Sequence, residues 1–248
     1  MKAKRHLSII YIGIALVLAS GLAYFTHYLI FSDPHHIFIY LIGDIAFIPL
    51  EILAVAIIVE RLLARHEKRR IMRKMNMVIG TFFSELGTRL LGSLTGCIEN
   101  KDALRPYLAI SNKWSARNYK SSLSFVRGFD YNVSFERFNL KSLEETLAAK
   151  RDMLVMLLAN PNLLEHERFT NMLWAIFHMM EELSARKSLD DLPPTDREHL
   201  AGDVRRVYAL LTVEWLLYCR HLQLSYPYIF SIIVRTHPLQ DSPSATVT

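Results

Sequence analysis

Histidines and acids at fixed spacings are the residues of this chain with the most capacity for chemistry. His178 and Glu182 stand four apart and Glu214 and His221 seven apart, so on helices each pair shares one face. Two histidines and two carboxylates projecting into a bundle core make a donor set for a transition metal, which is the basis for reading the chain as a metal-dependent enzyme. A carboxylate-bridged di-iron bundle needs Glu-x-x-His on two helices, and neither segment carries that spacing. The plainer expectation is a buried Glu214 paired with Arg220, a tyrosine or a histidine.

Asp44 and Glu51 are a third pair, again seven apart, and they lie inside an apolar run that also holds Pro49. Carboxylates at membrane depth are costly and point into protein interfaces or wet cavities. Such acids either line a small cation or proton pathway built by several copies, or act as protonated, hydrogen-bonded links between spans. The second role is preferred. If the chain turns around residue 34, Tyr24 lies level with Asp44 and donates to it.

The elements that must position these groups begin with two long apolar runs, about 7–31 and 37–59, each long enough to cross a bilayer. A cleaved signal peptide is the competing reading of the first, because Ala19-Ser20-Gly21 loosely resembles a cleavage site. Ten further apolar residues and a second span argue against it. Between the runs, Ser32-Asp33-Pro34-His35-His36 is a polar connector in which Pro34 forbids a continuous helix. Ala15, Ala19 and Ala23 repeat every four residues and, with Gly43 and Ala46, predict a closely packed hairpin.

Lys2, Lys4 and Arg5 precede the first run, and Arg61, Arg65, Lys68, Arg69, Arg70, Arg73 and Lys74 follow the second, while the connector has no Lys or Arg. Positive charge therefore marks both termini as cytoplasmic in a multi-pass protein of the inner (plasma) membrane. The same seven residues are candidate ligands for anionic lipid head groups. Arg61 and His66 also fit an R-x4-H ribonuclease spacing, which a juxtamembrane basic run produces by chance. A net charge of +5 has this membrane explanation, so it does not point to nucleic acid. Mean hydropathy of +0.17 is high for a chain without spans.

Residues 1–63 are thus read as a transmembrane hairpin, 64–75 as a basic juxtamembrane linker helix, 76–239 as a helical cytosolic domain and 240–248 as a disordered tail. In the domain, Ile79, Phe82, Phe83, Leu86, Leu90 and Leu94 form one apolar face, with Gly80, Ser84 and Gly87 as a small stripe for a close-packed neighbour. Glu85 is expected to pair with Arg89, four residues on. Residues 100–138 read as irregular, with Trp114, Tyr119, Phe125 and Phe129 interleaved among Lys113, Arg117, Lys120 and Arg127. Partly buried aromatics under a solvated basic face are the preferred account of that stretch. A capping box from Ser142 to Glu145 predicts a helix to about Leu158. Further helices are expected over about 165–187 and 195–224, the last as the central one. Four long amphipathic helices with short connections give an all-α fold, an antiparallel bundle following the hairpin.

Cys97 and Cys219 are far apart and outside any CxxC spacing, so neither a disulfide framework nor a zinc site is indicated. No Walker loop, dinucleotide fingerprint, G-x-S-x-G, HExxH or kinase motif is present. No cofactor is called for. The segments GDIAFIPLE, KMNMVIGTFFSELGT and EWLLYCRHLQLSYPYIFSIIVRTHP together resemble uncharacterised two-span membrane proteins of prokaryotes, a resemblance that implies the architecture and no activity. The leading expectation is a membrane-anchored interaction, scaffold or sensory protein. Its expected partners are the bilayer and a protein, or a second copy meeting it through the spans.

Overall fold

The computed structural model describes residues 2–136, 138–161, 163, 166–240 and 243–246, with the side chains of 2–10, 68, 69, 71 and 73 outside the description. The protein is all-helical, two apolar N-terminal helices preceding a helical domain. It divides into two compact units at Lys68/Arg69.

The first unit holds α1 (Lys2–Phe31) and the apolar part of α2 (Pro34–Phe82). The break between them is shorter than the polar connector suggests, because Pro34, His35 and His36 are already helical. Ser32 takes φ 50, a left-handed conformation that ends α1 while its N–H donates to the Tyr28 carbonyl at 2.8 Å. The Asp33 carboxylate then accepts from the His35 and His36 N–H groups at 2.9 and 3.3 Å, with Pro34 at the first helical position. Pro49 does not end α2.

Within this unit the helices meet near the turn, where the His27 and His36 rings stack with centroids 5.8 Å apart. The close packing expected of Ala15, Ala19 and Ala23 against Gly43 and Ala46 is not made. A Cβ on Gly13, Gly21 or Gly43 would have nothing within 4 Å, and every described side chain from Tyr11 to Glu67 is exposed or half-exposed.

In the second unit the predicted face of Ile79, Phe82, Phe83, Leu86, Leu90 and Leu94 is buried. It is wider than one helix stripe, since Leu91 and Thr95 are buried too. Neighbouring residues buried in pairs every four positions outrun a 3.6-residue turn. The chain absorbs the drift in a π-helical turn, Phe83–Gly87, before α3 (Thr88–Thr95). Gly87 serves that turn, because a Cβ there would stand 2.6 Å from the Phe82 ring and 2.7 Å from that of Phe83. Gly80 does face another helix, with Tyr218 3.9 Å from its Cβ position.

The stretch expected to be irregular contains α4 (Arg105–Leu108) and α5 (Ala116–Arg127). Helix α5 opens with a capping box in which Ser115 and Asn118 exchange side-chain and backbone bonds. Tyr119, Leu123 and Val126 are buried along it and Trp114, Phe125 and Phe129 half-buried, so these aromatics belong to the core. The helix expected over 142–158 is two, α6 (Leu140–Ala148) and α7 (Arg151–Leu158), and its cap is Asn139, which accepts from the Ser142 N–H at 2.9 Å. The break at Ala149–Lys150 lets Lys150 reach Glu85 at 2.8 Å, which takes the place of the Arg89 pair expected for that acid.

Helices α8 (Glu167–Ser184), α9 (Pro194–Ser225) and α10 (Pro227–Thr236) complete the domain. The expected start of α8 at Glu165 falls outside the described residues. Helix α9 is central, packed by α3, α5, α8 and α10. The tail expected to be disordered is described at 243–246, where the Ser244 N–H donates to the Arg235 carbonyl at 3.0 Å; 241, 242, 247 and 248 lie outside the description.

Candidate functional site

Polar side chains converge where the C-terminal half of α8 faces the N-terminal half of α9. Helix α8 turns Phe169, Met172, Leu173, Ile176, Met179, Met180 and Leu183 into the core, which leaves His178 and Glu182 four apart on its rim, with Arg186 just past its C-terminal end. Helix α9 begins at Pro194 and offers Asp196, His199 and Asp203 from its first three turns. Asp203 is buried, its side chain 4% exposed, while His178 and His199 stay open to solvent at 46% and 53%.

Each imidazole faces both carboxylates. His178 Nε2 lies 3.8 Å from Glu182 Oε1 and 3.7 Å from Asp203 Oδ1. His199 Nε2 lies 3.5 Å from Glu182 Oε2 and 3.5 Å from Asp203 Oδ2. The donor atoms of His178, Glu182 and His199 all fall within 4.8 Å of one another. Arg186 forks onto Asp196 at 2.8 and 2.6 Å and reaches Glu182 Oε2 at 2.9 Å. That hydrogen bond is the main reason the Glu182 carboxyl is held below the usual range, and Asp196 is lowered by the same guanidinium. Arg206 donates to Asp203 Oδ1 at 3.1 Å.

Of the four residues expected to hold a metal, His178 and Glu182 belong to this cluster and the other two engage elsewhere. Glu214 is buried in the middle of α9 with Arg168 Nε 3.3 Å from its Oε1, a partner not anticipated for it. Burial pushes its carboxyl up, against the opposing influence of Arg168 and Arg127. His221 lies 3.4 Å from the Asn76 amide through Nδ1, and burial lowers its pKa. His199 and Asp203 were missed, although they repeat in α9 the four-residue spacing that singled out His178 and Glu182 in α8.

The intramembrane candidates are also apart. Because the turn falls at Ser32–Asp33, positions whose numbers sum to about 65 are level, which sets Tyr24 beside Tyr40 and Leu41. Tyr24 lines a cavity with Ser20, Ala23, His27, His36, Ile37 and Tyr40. Among the described residues it makes no hydrogen bond to Asp44, and Asp44 and Glu51 are exposed. Of the basic residues expected at lipid head groups, Arg61, Arg65, Arg70 and Lys74 are exposed, while the side chains of Lys68, Arg69 and Arg73 lie outside the description.

An all-helical protein whose two apolar N-terminal helices precede a helical domain with one continuous core is the class this fold defines. The chain belongs to the MJ1433 family. Residues 3–63 match the family's N-terminal helical domain and 71–235 the C-terminal helical domain of "Uncharacterized protein MJ1433". It is similar to Uncharacterized protein MJ1433 of Methanocaldococcus jannaschii, 39% identical over 97% of this chain and 96% of that protein. No solved structure matches.

Proposed function

We propose that the chain is a membrane-anchored interaction, scaffold or sensory protein, in which the two apolar helices hold a helical domain at the inner face of the plasma membrane. One observation carries this reading. From Tyr11 to Glu67, across α1 and the apolar part of α2, no described side chain is buried, whereas the buried core of the domain runs from Met75 to Leu239. Runs of exposed Leu, Ile, Val and Phe of this length are not sustained in water, and a bilayer is the solvent that matches them. Basic residues at the start of α1 and after the apolar part of α2 favour a cytoplasmic location for both ends.

Self-association through the spans fits the same picture. Asp44 and Glu51 have no partner among the described residues, and small residues face open space on both helices. A second copy would supply donors to those acids and close packing to those faces.

The full chain is expected to remain with membranes after washing at alkaline pH and to be released by detergent. Recovery in the supernatant without detergent would overturn the reading.

A further inference from the structure

We propose that His178, Glu182, His199 and Asp203 form a binding site for one divalent metal ion of the zinc class. Two imidazole nitrogens and two carboxylates are a donor set that zinc and cobalt(II) accept in tetrahedral geometry. His-x-x-x-Glu on α8 and His-x-x-x-Asp on α9 each place two donors on one helix face, and the packing of the two helices brings the pairs opposite one another.

The separations are those of loose ion pairs, and they are also compatible with an ion held between the groups. Ligands held about 2.0–2.1 Å from a tetrahedral ion stand about 3.3 Å from each other. The four nitrogen-to-oxygen distances here are 3.5, 3.5, 3.7 and 3.8 Å. They exceed the span of a good hydrogen bond, and because they use both oxygens of each carboxylate, ligation through one oxygen apiece asks the carboxylates to turn as well as to close. A histidine and a carboxylate pairing directly would close to hydrogen-bond distance, and none of these four contacts does so.

A second feature points independently to a cation. Asp203 Oδ2 is buried and receives no hydrogen bond among the described residues, and it faces His199 Nε2 from 3.5 Å. A buried carboxylate oxygen left without a donor is costly, and an ion between it and the histidines removes that cost. The neighbouring arginines leave room for the charge. Arg186 forks onto Asp196 and also takes Glu182 Oε2, which leaves Oε1, and Arg206 occupies Oδ1 of Asp203 while Oδ2 stays open. Half-exposed His178 and His199 give the ion a path from solvent.

The test uses untagged full chain in detergent, stripped with a chelator and titrated with zinc by calorimetry and with cobalt(II) by visible absorption. We expect one ion per chain, the visible band of four-coordinate cobalt, and a zinc-dependent rise in thermal midpoint. His199→Ala and Asp203→Asn should each weaken zinc binding more than about 10-fold and abolish the cobalt band. His221→Gln and Glu214→Gln, which lie outside the cluster, should leave both unchanged. A His35→Ala/His36→Ala variant separates the site from histidines of the N-terminal turn. Absence of stoichiometric zinc binding by the unmutated chain would overturn the proposal, as would binding that survives His178→Ala/His199→Ala but is lost without His35 and His36. Should a cluster variant fail to fold, as judged by circular dichroism, the unmutated titration and the turn variant still decide.

Discussion

Replacing Trp215 by alanine is expected to destabilise the helical domain by about 3–5 kcal/mol. Trp215 is the largest fully buried side chain of the protein and sits in the part of α9 that is buried almost all round. Its ring lies 5.6 Å from that of His237, so it is also what the segment after α10 closes against. That segment approaches α3 as well, where a Cβ on Gly92 would stand 2.8 Å from Pro238. Truncating the indole therefore removes transfer free energy, leaves a cavity in the central helix and loosens the C-terminal closure together. Urea unfolding of the detergent-solubilised full chain, followed by circular dichroism, measures it. A loss below about 1 kcal/mol would mean that α9 is not the centre of the core.

The second large effect is expected on acidification. His237 is fully buried, its Nδ1 accepts from the Leu239 N–H at 3.3 Å, and its Nε2 has no partner among the described residues. Burial lowers its pKa from 6.5 to about 4. The folded protein thus favours the neutral imidazole, and the sign follows from linkage. The stability His237 contributes is fully present above pH 6.5, and it is lost as pH falls from there through about 4. A shift of that size corresponds to about 3 kcal/mol across the window. His166 and His221, also lowered by burial, act in the same direction. His237→Asn keeps an acceptor for Leu239 but does not titrate, so the fall in urea midpoint between pH 6.5 and 4 should shrink in that variant. An unchanged acid limb would refute the assignment.

How legible these features were in the sequence depended on how much apolar contrast each element carries. The face from Ile79 to Leu94 and that of α8 are dense in Phe, Leu and Met, and both are buried. Helix α5 was hidden because its buried stripe of Tyr119, Ser122, Leu123 and Val126 is thin and set among serines, lysines and arginines. Its signal was the Ser115–Asn118 capping pair, which lacks the usual Glu or Gln. The α6–α7 break carries no Gly or Pro, and what favours it is tertiary, the Lys150–Glu85 pair. Half of the α8–α9 cluster could be read from spacing alone. The other half could not, because α9 draws attention to its apolar middle while His199 and Asp203 belong to its polar start. Which face of α9 meets His178 is a matter of helix packing, and no periodicity fixes it.

The central claim is that α1 and the apolar part of α2 form a membrane hairpin with its connector outside and the helical domain inside. Single cysteines at His35 and at Ala245, both exposed, report on the two sides. The native thiols contribute little background, since Cys97 and Cys219 are buried and burial pushes the Cys97 thiol up to about 12. Treating intact cells with a membrane-impermeant maleimide should label His35→Cys directly and Ala245→Cys only after lysis. Labelling of Ala245→Cys in intact cells, or protection of His35→Cys until lysis, would contradict the account.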